Sequence, residues 1–270
     1  MAGLGIGIAG CAGRMGRMLI AEAQATAGCR VVGGIDAKGS PALGTDLGTL
    51  ANIGAIGVKA GDDPEALFAA SDVVIDFSTP EAAVVSARLA AQHKKPLLLG
   101  TTGLNKEQGD AVRTAAKSVA IVWPPNTSLG VTLLLAMVED AAKRLGPEWD
   151  IEIVEMHHKH KVDAPSGTAL ALGHAAAAGR HIDLGKNSAR GRDGITGTRA
   201  AGHIGFAALR GGDVAGDHTV IFAGAGERLE LTHRAASRQI FAKGAIKAAL
   251  WLGQTGRKPG LYGMKDVLGL

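Results

Sequence analysis

The segment EMHHKHKVDAPSGTA, residues 155 to 169, packs three histidines and two lysines into His157 to Lys161 and runs straight into a Pro-Ser-Gly-Thr turn. Crowding that much positive charge costs free energy unless water or an anion compensates it. His157 and Lys161 are four apart, so they share a face whether the chain there is helical or extended. Imidazole titrates near neutrality, and burial or cationic neighbours can push an ammonium toward a donor's range. The pair therefore suits proton delivery to a reacting anion. His158 points the other way in a strand and serves better as an orienting contact. After Pro165 and Ser166, Gly167 and Thr168 open the helix TALALG, whose first N–H groups and hydroxyl can hold a carboxylate. A cationic cluster leading into such a helix start describes a pocket for a di- or polyacid.

Other readings of the cluster compete with that one. A metal is not expected, because Lys159 and Lys161 set two cations among the imidazoles and no carboxylate completes a recognised zinc spacing. The cluster is too short and isolated for a nucleic-acid patch. A merely solvated strand end or turn stays open from these residues alone.

A second constellation lies at the N-terminus. IAGCAGRMG carries Gly10, Gly13 and Gly16 where an apolar run meets a helical pattern. A helix start offers free N–H groups and a positive dipole end, and glycines let a pyrophosphate approach the backbone. The spacing is GxxGxxG, with Ala12 where a second close glycine would stand, so the turn alone is a weak signal. Asp36 strengthens it by closing the next strand 20 residues beyond Gly16, where a carboxylate can accept from an adenosine ribose. Asp36 would repel the extra phosphate of NADPH and Lys38 would attract it, so the choice between NADH and NADPH stays open. The loop GTTG, residues 100 to 103, follows a strand near the expected switch point.

The elements that must carry these residues alternate. Strands are expected at 4–10, 30–36, 72–78, 96–99 and 119–123, with helices over 14–28, from Pro80 to about 92, and in a short polar stretch after 103. That alternation predicts an α/β fold, a Rossmann-like doubly wound parallel sheet. After Asn126 the pattern changes to a helix (128–146), a strand (IEIVEMHH), a helix (168–179), an aperiodic Gly/Arg-rich loop (about 185–202) and three strand-like runs with tight turns. The tight turns predict antiparallel pairing, hence a second α+β domain with a mixed or antiparallel sheet. A last helix spans 238–253. The expected division is a dinucleotide-binding domain, 1–127, completed by 238–270, and a substrate-binding domain, 128–237, with hinges near Thr127 and Arg238.

Composition narrows the class further. A chain of 270 residues that is 46% hydrophobic can bury a full core. Its net charge of +4 comes with no long basic block or aromatic ladder, so no nucleic-acid partner is expected. Cys11 and Cys29 form no CxxC motif, and the chain has neither a signal-like N-terminus nor an apolar run long enough to span a bilayer. A cytoplasmic protein with no membrane partner is expected.

The combination GCAGRMGR (10–17), DFSTPE (76–81), LGTTG (99–103), NTSLGV (126–131) and above all EMHHKHKVDAPSGTAL (155–170) resembles the dihydrodipicolinate reductase family of diaminopimelate and lysine biosynthesis, end to end. The resemblance implies a cytoplasmic homotetramer that uses NADH or NADPH to reduce a cyclic dicarboxylate. It implies His157 as proton donor or acceptor, Lys161 as proton donor, and His158, Gly167 and Thr168 as substrate contacts. Cofactor contacts carry over to Gly10, Cys11, Ala12, Gly13, Arg14, Met15, Asp36, Lys38, Gly100, Thr101, Thr102, Pro124, Pro125, Asn126 and Thr127. Two departures stand out. Thr127 replaces the aromatic residue that many relatives place beside the nicotinamide, and Ala37 replaces a familiar arginine after the acid. The rival readings are an NAD(P)-dependent dehydrogenase of an amino or semialdehyde acid, and a non-catalytic dinucleotide sensor.

Overall fold

The protein is described from a computed structural model that covers residues 3–270. The chain forms two compact units, one running through Ser128 and resuming over Gln239–Leu270, the other Leu129–Arg238.

The first unit alternates strands and helices: β1 (Leu4–Ala9), α1 (Arg14–Ala25), β2 (Cys29–Ile35), α2 (Leu47–Leu50), β3 (Ala60–Gly61), α3 (Pro64–Ala70), β4 (Val73–Asp76), α4 (Pro80–His93), β5 (Leu97–Leu99), α5 (Lys106–Ala116) and β6 (Ala120–Val122). Its strands pair parallel throughout, in the order β3-β2-β1-β4-β5-β6, which reverses direction between β1 and β4. Ligands collect at that reversal, beyond the strands' C-terminal ends. Local chemistry fixes the helices. Thr79 caps α4 by accepting from Ala82 N–H with Pro80 in the first turn, and Asn105 and Gln108 form a capping box on α5. Each such cap is worth ~1 kcal/mol. Leu97, Leu98 and Leu99 of β5 are fully buried, as a strand covered on both faces requires.

The second unit contains α6 (Leu129–Leu145), β7 (Asp150–His157), α7 (Gly167–Arg180), β8 (Ser188–Ala189), β9 (Ile204–Arg210), β10 (Gly216–Gly224) and β11 (Glu227–Ala235). The strand order is β11-β10-β7-β9-β8. β10 pairs antiparallel with both β7 and β11, whereas β9 runs parallel to β7 and β8. The expected antiparallel pairing therefore fails at β9. The chain leaves β7, crosses through α7 and re-enters alongside, as parallel neighbours require. Leu134, Val138 and Ala142 of α6 and Ala169, Leu172 and Ala176 of α7 pack on Ile151, Ile153, Phe206, Val220 and Phe222. The sheet thus carries its helices on one face.

The chain then returns to the first unit with α8 (Gln239–Leu252), β12 (Gly260–Tyr262) and α9 (Met264–Leu268). β12 adds a seventh parallel strand beside β6. Among the described residues no helix is long and apolar enough to cross a membrane.

Candidate active site

In the first unit every predicted cofactor residue except those that open α1 lies just past the C-terminal end of a strand. Gly10 sits in the left-handed region at φ +78°, and a Cβ on it would stand 2.5 Å from Phe77 O, so glycine is required there. Gly10 and Cys11 N–H both donate to Ile35 O, at 2.9 and 3.0 Å, which pins the turn to the end of β2. A Cβ on Gly16 would stand 2.1 Å from Gly10 O, so α1 packs directly on the turn. These close approaches leave Gly13, Arg14 and Met15 at a helix start, the arrangement that fits a pyrophosphate. Cys11 is buried under this turn, and burial, with Asp36 second, pushes its thiol up to about 11. It is a packing residue, not a nucleophile.

Asp36 Oδ2 accepts from Ala12 N–H at 2.9 Å and Oδ1 from Ala37 N–H at 2.7 Å. Ala12, Gly13, Asp36, Ser40 and Arg17 line a cleft of about 480 Å³. Lys38 is exposed in the following turn and is not part of that lining. Arg17, which the sequence reading passed over, supplies the cleft's cation, its Nε donating to Ala12 O at 2.9 Å. Its signal was its place one helical turn past Gly13, on the face that points at the glycine turn.

Beyond β5, Gly100 lies flat against the Phe77 ring, where a Cβ would stand 2.1 Å from Cζ. Thr101 is turned inward. Its Oγ1 donates to the fully buried Asp76 at 2.8 Å and accepts from Ser78 N–H at 2.9 Å. Asp76 also accepts from Ser86 Oγ at 2.5 Å, so this carboxylate ties the end of β4 to α4 and to the loop past β5. Thr101 and Thr102 line a cleft of about 390 Å³ with Trp123, Pro124 and Pro125. Asn126 Oδ1 accepts from Ser128 N–H at 2.7 Å. Thr127 is buried, and its hydroxyl donates to Phe241 O of α8 at 2.9 Å. Its side chain therefore serves the fold, leaving only its backbone for a nucleotide.

In the second unit β7 alternates, so Ile151, Ile153, Glu155 and His157 all face inward. Two apolar residues are followed on that row by a carboxylate and an imidazole. His157 Nδ1 is 2.6 Å from Glu155 Oε2. Arg210 grips the same carboxylate with both nitrogens, 2.9 Å to each oxygen, and Ser166 N–H donates to Oε1 at 3.1 Å. Burial alone would raise the Glu155 carboxyl, but the hydrogen bonds and charges of Arg210 and His157 outweigh it and hold it below the usual range. An ionised carboxylate can only accept, so it suits a proton on Nδ1.

Lys161 lies past the end of β7, in a turn where its N–H donates to His158 O at 3.1 Å. Its ammonium pairs with Asp163 at 2.7 Å, and Arg210 donates to Asp163 O at 2.7 Å. A continuous chain of contacts therefore joins His157, Glu155, Arg210, Asp163 and Lys161. The two predicted proton carriers belong to one assembly, although Lys161 is not on the strand. His158 Nδ1 is buried with no hydrogen-bond partner among the described residues, and the residue lines a cleft of about 500 Å³ with Lys159, His160, Gly212 and Asp213. Gly167 and Thr168 form the first turn of α7, capped by Ser166 Oγ, which accepts from Ala169 N–H at 3.1 Å. Ser166 Oγ also meets His218 Nε2 at 2.9 Å, and the His218 ring stands edge-on to His157, centroids 5.1 Å apart. Burial and then the nearby His157 depress His218 to about 4. Among the described residues no group of three or more His, Cys, Asp or Glu is arranged to hold a metal.

Sequence comparison places the whole chain. Residues 4–127 match the family described as "Dihydrodipicolinate reductase, N-terminus" and residues 130–268 its C-terminus counterpart. The 4-hydroxy-tetrahydrodipicolinate reductase of Methylocella silvestris is 57% identical over 97% of this chain and 96% of that protein. That of Brucella abortus is 55% identical over 99% of each. A dipicolinate-bound dihydrodipicolinate reductase from Paenisporosarcina sp. TG-14 has a TM-score of 0.79 at 26% identity, covering 98% of this chain and 99% of that one. An aspartate semialdehyde dehydrogenase from Vibrio cholerae shares the fold alone, with a TM-score of 0.57 at 10% identity over 94% of this chain and all of that one. A parallel sheet with a glycine turn and an acid just past its second strand, a separate unit with a carboxylate-held imidazole, and full-length identity above half to named reductases converge: the chain belongs to the dihydrodipicolinate reductase family.

Proposed function

We propose that His157 and Lys161 carry the proton chemistry of the family's reaction, in which 4-hydroxy-tetrahydrodipicolinate loses water and its unsaturated ring takes up a hydride and a proton to give tetrahydrodipicolinate. The observation that carries this is the inward pair Glu155 and His157, joined through Arg210 and Asp163 to Lys161. The bound nicotinamide nucleotide supplies the hydride, which adds at C4 of the ring. His157, with Nδ1 engaged, presents Nε2 as the group that exchanges a proton with the electron-rich product, and Lys161 donates one. His158 and the N-terminal turn of α7, at Gly167 and Thr168, hold the two ring carboxylates, and the helix dipole favours that charge.

The glycine turn from Gly10 to Gly13, with Arg14 and Met15, takes the pyrophosphate. Asp36 takes the ribose, and Gly100 to Thr102 with Pro124 to Thr127 take the nicotinamide half. NADH is used at least as well as NADPH, because Asp36 stands where a 2′-phosphate would sit and Lys38 lies outside the cleft; Arg17 is the cation that keeps NADPH usable. The second unit, 128–237, also forms a homotetramer. Val154, Met156, Leu209 and Ile221 share the face of its sheet away from α6 and α7, and Leu209 is 50% exposed there.

The test follows loss of nicotinamide absorbance with substrate generated freshly from pyruvate and aspartate semialdehyde by a separate synthase, with NADH and NADPH in parallel. His157→Gln and Lys161→Ala are expected to lower kcat by about 10²-fold or more. Full turnover in both variants, with substrate dependence intact, would remove these residues from the mechanism.

A further inference from the structure

We propose that Glu155 is the positioning residue for His157: paired with Arg210, it fixes the imidazole with its proton on Nδ1 and Nε2 bare, and the same carboxylate anchors the N-cap of the substrate-holding helix. This rests on the reading that His157 exchanges a proton with the product. Glu155 is 1% exposed, and each of its oxygens is used twice: Oε2 by His157 Nδ1 and Arg210, Oε1 by Arg210 and Ser166 N–H. A carboxylate that meets four donors cannot swing, so the imidazole plane is set by a rigid partner. The far edge of the ring is kept clear. Nε2 makes no hydrogen bond among the described residues, and Gly216 lies beside it, where a Cβ would approach to 3.0 Å.

The groups that face this assembly come from several elements: Arg210 at the end of β9, Lys161 and Asp163 from the loop, Ser166 at the start of α7, His218 from β10, and His233, which pairs with His218 across β10 and β11. Glu155 is the buried carboxylate among them. It also ties Ser166 N–H into the same frame, so the ring and the carboxylate-binding turn of α7 move together.

The first measurement uses wild-type protein labelled with 15N in its histidine rings, the His157 signal being assigned by its loss in His157→Gln. The neutral ring is expected to be protonated on Nδ1; a ring protonated on Nε2 would overturn the proposal whatever any variant does. The second uses Glu155→Gln. If it is folded, judged by unchanged nucleotide affinity, kcat is expected to fall about 10- to 100-fold, as loss of an outer carboxylate partner commonly does. KM for the nucleotide should hold, and the neutral His157 ring should lose its preference for the proton on Nδ1. If Arg210, left without its partner, unfolds that variant, the Glu155→Gln/Arg210→Met double variant carries the same expectation. A folded protein with wild-type kcat and the wild-type ring spectrum would refute positioning, because packing alone does not set a tautomer. Full activity in His157→Gln would instead refute the role given to His157 itself, and the ring spectrum would still decide the tautomer.

Discussion

Acid should loosen the second unit through His218. Its ring is 4% exposed, its Nδ1 has no partner among the described residues, and Nε2 meets Ser166 Oγ at 2.9 Å. Burial, then the nearby His157, lowers it from 6.5 in the unfolded chain to about 4 in the fold, against a smaller pull upward from Glu155. Between those values the unfolded chain binds the proton and the folded one resists it. The contribution is therefore present in full above pH 6.5 and is lost as pH falls toward 4. At ~1.4 kcal/mol per unit of separation the total loss is about 3 kcal/mol, with about 2 kcal/mol already gone at pH 5. His218→Gln removes the titrating ring and keeps an amide near Ser166. Urea unfolding would be followed by Trp149, whose ring packs on Gly224 in this unit, in a background where Trp123 and Trp251 are Phe. The stability lost between pH 7.5 and 5 should be smaller in His218→Gln by about 2 kcal/mol. Glu155 and the surface carboxylates are common to both proteins and cancel in the difference. A difference below about 0.5 kcal/mol would refute the claim that His218 is buried neutral.

The nucleotide unit offers three further tests. Gly16→Ala places a Cβ 2.1 Å from Gly10 O and 2.7 Å from the Cys11 backbone, none of which can swing aside. It should cost about 1–3 kcal/mol in stability and weaken nucleotide binding at least tenfold, read by urea unfolding and fluorescence titration. Asp36→Asn keeps an acceptor for Ala12 N–H and removes the charge facing a 2′-phosphate, so the ratio of kcat/KM for NADPH over NADH should rise about tenfold or more. An unchanged ratio would free Asp36 of the role given to it. Thr127→Val deletes the hydrogen bond to Phe241 O and should lower stability by about 1 kcal/mol while leaving KM for the nucleotide within about twofold. A large KM change would return the Thr127 side chain to the nucleotide site.

What the sequence showed follows from which signals are local. The runs GIGIA, VVID and LLL bury on both faces, and Pro80 marks a helix start, so strand–helix alternation is written in the order of residues. The parallel pairing of β9 with β7 was not legible, because the tight turn between β9 and β10 does not make them neighbours: β7 lies between the two. α2, β3 and β12 were passed over because they are two to four residues long and are held by distant partners, as Asp46 holds α2 and residues Ile56 and Gly57. In the site, His157 and Lys161 announced themselves by charge crowding. Glu155 had a signal that alternation could have found: two residues before His157, it must share the inward row that begins with Ile151 and Ile153. Arg210 had none, since only the register of β9 on β7 sets it opposite His157.

This chain moves a hydride from a nicotinamide nucleotide to the ring of a cyclic dicarboxylate, and on the roles proposed for His157 and Lys161 the second unit supplies the proton. A single incubation tests this, with nucleotide carrying deuterium at both C4 positions of the nicotinamide and substrate made in place, followed by mass spectrometry of the product. One deuterium is expected at ring C4 of tetrahydrodipicolinate, in amounts that match the nucleotide oxidised, with slow transfer in His157→Gln. Nucleotide oxidation with no label in the product, or labelling that proceeds at full rate without His157 and Lys161, would contradict it.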